Sequence, residues 1–309
     1  MPAFTNLATY RFAPLRELRE LQAELRAFCG ASGMRGTILL SPEGINLFVS
    51  APRATLEELL VRLRRVPGLP ELRGKESTSA EQPFNRMLVK IKKEIIAFGV
   101  AGVDPAERPA PRVAPRALKQ WLDEGRRVTL LDTRNRYEVD LGTFRGARTL
   151  GLDHFREFPD AVAALPNELK DEPIVTFCTG GIRCEKAAPL LELAGFRNVF
   201  QLDGGILNYF AECGDAHYEG DCFVFDKRVA LDSSLRATGA ALCFVCQMPL
   251  TPAEQKDPRY VESVSCPHCV LTRPRRTIEL SAAAHDSSRA ASSSLSPRSR
   301  VRSSGSTSS

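Results

Sequence analysis

The stretch VTFCTGGIRCEK, residues 175–186, decides how this chain is interpreted. It begins with apolar residues typical of a buried strand, delivers Cys178 to a glycine-rich turn, and continues into a helical pattern. A loop between a strand and a helix directs backbone N–H groups toward one point, and the helix N-terminus favours an anion there. The sequence therefore predicts that the loop holds Cys178 as a nucleophilic thiolate. A cysteine that merely packs in a core is the alternative.

Further residues of this loop fit an activated nucleophile. Gly180 and Gly181 permit positive φ and close backbone approach, so we expect them to form the cradle of the loop. Arg183 adds a fixed cation that would stabilise an anion in the same space. Cys184, at the predicted start of the helix, has two interpretations. It is either a packing residue or a cysteine that resolves an oxidised Cys178 as a disulfide.

The number of residues between Cys178 and the loop arginine distinguishes two families of thiol loop. Cysteine phosphatases place the arginine six positions after the cysteine, whereas here it comes five positions after. The shorter C-x-x-G-x-R loop resembles that of rhodaneses, which carry a sulfane sulfur on the cysteine as a persulfide. Upstream, LLDTRNRYEVDLGTFRGA resembles the rhodanese signature around Asp132, Arg134 and Glu138, with Thr143 where a histidine is common.

The sequence around the loop predicts a doubly wound α/β domain. VTLLD, IVTFC and VFQLD are short apolar runs of the kind that a parallel sheet buries on both faces, and a helical pattern separates the second from the third. We assign this rhodanese-like catalytic domain to residues 116–218. The proline-rich residues 106–115 before it predict a linker.

The first part of the chain, residues 1–105, predicts a ferredoxin-like (acylphosphatase-like) domain. Two groups of leucines at helical spacing and the strand-like runs ATYRF, RGTILLS, INLFVSA and MLVKIKKEIIAFG give the order βαββαβ. The last predicted strand and the residue after it carry Lys90, Lys92 and Lys93. These lysines are either ordinary exposed residues or contacts for the phosphates of a nucleic acid.

Residues 219–280 form a cysteine-rich segment with the spacing of a metal site. Cys243, Cys246, Cys266 and Cys269 follow the pattern C-x2-C-x19-C-x2-C. This spacing is typical of zinc knuckles, in which two tight turns present four thiolates to one ion. Four sulfur ligands leave no open position, so the predicted zinc is structural. Free thiols or redox pairs are the alternative.

Charge is divided unevenly along the chain, although the net charge is only +5. Residues 1–110 contain 16 Lys/Arg against 12 Asp/Glu, residues 111–269 contain 19 against 23, and residues 270–309 contain 7 against 2. A basic N-terminal region beside an acidic middle suits a polyanionic substrate, or it is simply solvated surface. From residue 281 to 309 the composition narrows to Ser, Ala and Arg, which predicts a disordered tail.

The sequence indicates a cytoplasmic protein. It lacks an apolar run of the roughly 20 residues that a membrane span needs, and its N-terminus lacks a signal-peptide pattern. Nine cysteines, four of them in two Cys-x-x-Cys pairs, suggest reduced thiols with functions rather than a disulfide scaffold.

Several motifs in one order resemble the rhodanese-domain tRNA uridine hydroxylase family over about residues 1–270. They are SPEGINLFVSA, LDTRNRYEVDLGTFRGA, FCTGGIRCEKAAPLLELAGFRNVFQLDGGILNYF and HYEGDCFVFDKRVALD, followed by the paired cysteines. The resemblance implies oxygen-dependent conversion of the wobble uridine of tRNA to 5-hydroxyuridine, with Cys178 matching the essential cysteine. It also implies molecular oxygen as co-substrate and tRNA as partner, and the electron donor is unknown. The surplus of positive charge in residues 1–105 makes this domain the candidate for tRNA binding.

The residues themselves leave other functions open. A rhodanese sulfurtransferase that passes a persulfide sulfur to a thiol or RNA, and a non-catalytic RNA-binding or redox-sensing module, are the alternatives. The four histidines form no evident iron site with a carboxylate, and no Gly-x-Gly-x-x-Gly motif indicates flavin or nicotinamide. The sequence therefore does not explain how oxygen is activated. A persulfide or sulfenic form of Cys178 is one candidate, because thiolates of low pKa are readily oxidised.

Overall fold

The computed structural model describes residues 4–270, which form two compact units that divide after Ala240. The first unit contains an N-terminal domain and a parallel-sheet domain, and the second unit contains the paired cysteines. The tail predicted at residues 281–309 lies outside the described residues. Among residues 4–270, no helix is both long and apolar enough to cross a membrane.

The N-terminal domain is one five-stranded sheet with two helices. Its elements are β1 (Phe4–Phe12), α1 (Leu18–Ala31), β2 (Arg35–Ser41), β3 (Gly44–Ala51), α2 (Arg53–Arg64), β4 (Lys75–Ser79) and β5 (Met87–Ile91). The strand order is β4-β1-β3-β2-β5, and every pair is antiparallel except β2 with β5. Leucines at helical spacing, such as Leu25, Leu56 and Leu59, are buried in its core, so the acylphosphatase-like fold predicted from the sequence is confirmed.

One strand of this sheet was assigned wrongly from the sequence. The sixth element of the βαββαβ order is β4, whereas the run from Met87 is an additional edge strand that lies parallel to β2. The sequence KESTS escaped detection because it is polar throughout and borders only β1. Strand β5 ends at Ile91, so Lys90 lies on the strand, whereas Lys92 and Lys93 follow it.

The second domain is a parallel sheet with helices on both faces, as the sequence predicted. Its main elements are β6 (Arg112–Val113), α3 (Pro115–Asp123), β7 (Thr129–Asp132), α4 (Arg136–Val139), β8 (Gly142–Phe144), α5 (Phe158–Ala163), β9 (Pro173–Phe177), α6 (Ile182–Leu193), β10 (Asn198–Leu202) and α7 (Gly205–Cys213). Short 3-10 helices occupy Phe155–Glu157 and Asn167–Asp171. The parallel order is β6-β10-β9-β7, with separate apolar cores on the two faces.

Short hairpin strands complete the first unit. They are β11 (Tyr218–Gly220), β12 (Cys222–Phe223) and β13 (Ala230–Leu231). Strand β11 pairs with β8, and β12 pairs with β13. The segment predicted as a linker, residues 106–115, also belongs to this unit, because Ala110 is buried in the core of the parallel-sheet domain and Arg112–Val113 forms β6. Proline-rich backbone can thus bury single apolar side chains without regular structure.

The second unit begins at Ala241. It contains β14 (Ala241–Leu242), β15 (Pro249–Leu250) and a 3-10 helix at Glu254–Lys256. Its small core consists of Leu250 and three of the four paired cysteines, with Val245 and Tyr260 packed against them. So little apolar material cannot stabilise a fold of this size, which agrees with a metal as a structural element.

Candidate active site

Cys178 lies directly after β9, where the chain turns into α6. Cys178 is 1% exposed and forms part of the wall of a cavity of about 890 Å³. Val175 and Phe177 fix the end of the strand because both are completely buried in the core. The backbone N–H of Gly181 donates to the sulfur of Cys178 over 3.1 Å, so the loop closes around the sulfur.

The loop favours the ionised form of this thiol. Burial raises the pKa of Cys178, but the hydrogen bond from the Cys184 thiol, the charge of Arg183 and the backbone N–H groups of Arg183 and Gly181 outweigh it and lower the pKa to about 6. Burial and the neighbouring sulfur of Cys178 raise the pKa of Cys184 well above its ordinary value. At neutral pH the pair is therefore a thiolate with a thiol that donates to it.

Only one of the two predicted glycines is required by the loop geometry. Gly181 has φ +99°, and a Cβ there would lie 2.9 Å from the hydroxyl oxygen of Tyr10. A Cβ on Gly180 would meet no atom within 4 Å, and its φ is not positive. The second close approach belongs to Gly205, with φ +68°, where a Cβ would lie 2.4 Å from the carbonyl oxygen of Cys178. The Gly-Gly pair at residues 204–205 was the available sequence signal for it.

The loop arginine is held in place by a carboxylate. Arg183 donates from both terminal nitrogens to the two oxygens of Glu138, over 2.7 Å each, and both side chains are buried. Arg134 donates from Nε to one oxygen of Asp132 over 3.0 Å and from a terminal nitrogen to the other over 2.6 Å. The hydroxyl of Thr143 donates to the same carboxylate over 2.8 Å. Bidentate pairs of this kind fix orientation as well as charge. The signature resembling rhodaneses thus supplies the partner of the loop arginine.

A lysine from the N-terminal domain reaches the thiol loop, and the sequence analysis missed it. The ammonium of Lys75, the first residue of β4, donates to the carbonyl oxygen of Gly180 over 2.8 Å and to that of Gly204. Burial lowers the pKa of Lys75 to about 8, although the negative charge on Cys178 opposes this. The residue was overlooked because the strand that carries it was not recognised.

The residues after Cys184 join the two domains of the first unit. Glu185 accepts hydrogen bonds from the hydroxyl of Tyr10 over 2.9 Å and from Arg112 over 2.6 Å. Lys186 is 2% exposed and lies between Glu43, at 2.8 Å, and Glu94, at 2.7 Å. The charged pair Glu185-Lys186, directly before the apolar run AAPLL, was the sequence signal for this interface.

The three lysines proposed as RNA contacts lie elsewhere on the N-terminal domain. Lys90, Lys92 and Lys93 are exposed at or just after β5, which forms the edge of the sheet opposite β4. Four interstrand spacings of about 4.8 Å separate these edges. The structure therefore brings Lys75, and not these three lysines, to the thiol loop.

The four paired cysteines of the second unit converge on one point. Their sulfur atoms all lie within 4.8 Å of one another, with 3.6 Å between Cys246 and Cys266 and 3.7 Å between Cys266 and Cys269. A tetrahedral zinc site with Zn–S bonds of about 2.3 Å needs sulfur separations of about 3.8 Å. His268 is not part of this set, because its Nε2 pairs with Glu254 over 2.8 Å. The quartet, completed by Cys243, therefore fits one metal ion.

Known proteins resemble this chain over both domains of the first unit and over most of its length. The models of the UPF0176 acylphosphatase-like domain and of the rhodanese-like domain match residues 4–95 and 114–212. A relative from Cupriavidus necator named tRNA uridine(34) hydroxylase is 48% identical over 270 residues, covering 86% of this chain and 96% of its own. Relatives of the same name from Cupriavidus taiwanensis and Ralstonia nicotianae are 48% and 45% identical, covering 87% and 85% of this chain and 98% and 95% of their own. The chain belongs to the tRNA uridine(34) hydroxylase family.

Proposed function

We propose that this protein hydroxylates the wobble uridine of tRNA at C5 and that Cys178 is its nucleophile. The observation that carries the proposal is the position of Cys178, in a loop whose backbone N–H donates to its sulfur and on the wall of a cavity lined by both domains of the first unit. Family membership supports the substrate. Because tRNA is the substrate, we place the reaction in the cytoplasm.

The cavity suits one nucleotide of a larger RNA. Its volume of about 890 Å³ lies within the range typical of small-molecule sites. A wobble base lies in a single-stranded loop, so it can enter such a cavity without being pulled out of a duplex. The rest of the tRNA then rests on the surface outside, where the basic N-terminal domain is available for its phosphates.

The proposed reaction replaces the C5–H bond of uracil by a C5–OH bond. One atom of dioxygen enters the product, and the other leaves as water after taking up two electrons and two protons from a reductant, the unidentified donor partner. The anionic sulfur of Cys178 supports two routes to this outcome. It adds to the electron-poor C6 of uracil and so enriches C5, or it carries the persulfide or sulfenic group considered above.

Arg183 and Lys75 are the cations that we assign to charge stabilisation in this reaction. Arg183 is fixed by Glu138, so its guanidinium is preorganised beside the sulfur. Lys75 is fixed by two carbonyl oxygens of the loop region and, with a pKa of about 8, is available for proton exchange near neutral pH. The thiol of Cys184 donates a hydrogen bond to the thiolate. We also propose that Cys184 resolves an oxidised Cys178 by forming a disulfide with it.

We further propose that Cys243, Cys246, Cys266 and Cys269 hold one structural zinc. The sulfur separations support this assignment. Zinc with four thiolates has no open position, so it stabilises residues 241–270 and takes no part in the chemistry.

We propose that Lys90, Lys92 and Lys93 contact phosphates of the tRNA outside the cavity. Each phosphate contact releases counterions, so affinity for tRNA should fall with rising salt. Replacing Lys90 and Lys92 by Ala should flatten the slope of log affinity against log salt by about 1 to 2. The comparison is made in protein cut after residue 280. Residues 281–309 contain four arginines and one aspartate, and their positive charge would add its own salt dependence. An unchanged slope removes these lysines from the interface.

Nucleoside mass spectrometry of tRNA tests the function as a whole. A deletion strain should lose 5-hydroxyuridine and the nucleosides derived from it, and a plasmid copy of this chain should restore them. Unchanged modification in the deletion strain rejects the proposal. A thiosulfate-to-cyanide sulfur transfer assay on the same protein then measures the sulfurtransferase alternative directly.

A further inference from the structure

An exposed aromatic ring lies on the wall of the cavity that contains Cys178. The ring belongs to Phe225, which is 50% exposed. The other exposed large apolar residues of the described chain do not line this cavity; they are Val61, Ile91, Leu193, Phe244 and Val261. We propose that Phe225 is the platform on which the uracil ring of the wobble uridine stacks, an assignment that rests on the proposed function.

The ring is tied to the thiol loop through the chain that carries it. The hydroxyl of Thr179, the residue after Cys178, donates to the carbonyl oxygen of Phe223 over 3.3 Å. Phe225 follows two residues later, and the guanidinium carbon of Arg183 lies 5.8 Å from the centre of its ring. Cys178, Arg183 and Phe225 all line the same cavity, so the ring and the sulfur face the same space.

The position of the ring is fixed before any substrate arrives. Its edge contact with Phe223 has a centroid separation of 5.0 Å, and Phe223 makes a similar contact with Tyr137 at 5.2 Å. The N–H of Val224 donates to the carbonyl of Val229 over 2.8 Å, which closes the turn that presents Phe225. A preorganised aromatic platform loses little conformational freedom when a base binds.

The chemistry around the ring favours a nucleobase over a purely apolar ligand. A base offers a flat π-face to the phenyl ring, and the guanidinium near the ring strengthens such stacking through its charge. Exposed Arg11 and Arg73 line the same cavity and offer cations to the phosphates on either side of the base. An aliphatic ligand would leave these cations without a partner.

Binding of an anticodon stem-loop RNA under anaerobic conditions tests the platform, because no turnover occurs without oxygen. Two RNAs are used, one with uridine at position 34 and one with an abasic nucleotide there. Phe225→Ala should weaken binding of the uridine RNA by about 5-fold to 150-fold, since stacking contributes roughly 1–3 kcal/mol per base. Phe225→Trp should retain affinity, and Leu193→Ala, an exposed apolar residue outside the cavity, should have no effect.

The abasic RNA makes the test specific for the base. Wild type should bind it more weakly than the uridine RNA, and Phe225→Ala should bind both RNAs equally, because the two changes remove the same contact. An equal loss on both RNAs, or no loss on either, overturns the platform. Equal affinity of wild type for the two RNAs also overturns the platform, whether or not the Ala variant folds. Failure of wild type to form 5-hydroxyuridine in air rejects the proposed function instead, and the binding data remain interpretable.

Discussion

Two sets of cysteines in this chain show how surroundings determine what a thiol does. Cys178 is surrounded by hydrogen-bond donors and cations, which lower its pKa to about 6. The quartet at residues 243–269 brings four sulfurs within 4.8 Å of one another, an arrangement that a single cation can satisfy. The first environment favours a thiolate, which we propose to be the nucleophile, whereas the second places four thiols where they could hold one metal ion.

The two sets also differ in where their surroundings come from. The quartet uses residues close together in the sequence, in one small unit. The thiol loop depends on Glu138 in α4, on Lys75 in the N-terminal domain and on Tyr10 against Gly181. A chain that begins near residue 112 would lack two of these partners, and Lys186 would lose both Glu43 and Glu94. Residues from both domains of the first unit therefore form the surroundings of Cys178.

The largest expected effect, in free energy, is on the quartet. Purified protein should contain about one zinc per chain, and Cys243→Ala should release it and loosen residues 241–270, because structural zinc contributes roughly 10–16 kcal/mol to folding in small domains. Elemental analysis and hydrogen exchange measure the two effects. Cys213→Ala, outside both sets, is the matched control and should keep the metal. Reduced, chelator-free protein without metal contradicts the assignment.

The next effect is on the nucleophile. Cys178→Ser should lower the rate of tRNA hydroxylation at least about 1000-fold, because a hydroxyl forms no accessible anion near neutral pH. The substitution is nearly isosteric, so the melting temperature should change little. Cys213→Ser should retain full activity. Turnover by the Ser variant at the wild-type rate would mean that the loop cysteine, like the quartet, is structural.

A smaller effect should follow from removing the lysine that comes from the other domain. Lys75→Met should slow alkylation of Cys178 by iodoacetamide at pH 7, and hydroxylation with it, by about 10-fold, because a donor to two loop carbonyls and a nearby positive charge are lost. Lys75→Arg should recover part of the rate. Lys90→Met is the control for the alkylation rate, which involves no tRNA, since Lys90 is exposed on the opposite edge of the sheet. Equal rates of Cys178 alkylation in Lys75→Met and Lys90→Met would show that the reactivity of the loop does not depend on Lys75.

The smallest expected effect is a difference in the pH dependence of alkylation between two cysteines of the wild-type protein. The lowered pKa of Cys178 means that its thiolate is present above about pH 6 and is lost as pH falls below that value. Burial raises the pKa of Cys213, so this thiol should react only at distinctly higher pH. Alkylation rates for the two peptides, measured by mass spectrometry from pH 5 to 10, give both midpoints. A midpoint for Cys178 near the free value of about 8.5 contradicts thiolate stabilisation by the loop.

The sequence by itself determined the features that depend on short spacings. The strand, the thiol loop and its helix were predicted around Cys178, and the quartet was predicted from its two Cys-x-x-Cys pairs. The order of elements in the parallel-sheet domain followed from apolar runs alternating with helical patterns. These features are readable because hydrophobic periodicity and ligand spacing act between neighbours in the chain.

Only the tertiary structure decided which distant side chains complete the active site. Lys75 lies 105 residues from Gly180, whose carbonyl it binds, and the polar strand that carries it has no apolar pattern to reveal it. The lysines that did stand out, at positions 90, 92 and 93, lie on the opposite edge of the sheet. Likewise, no local pattern distinguishes the exposed ring of Phe225 from a core residue. Such contacts depend on how two domains pack, and the side chains that meet there leave no periodic signal in the sequence.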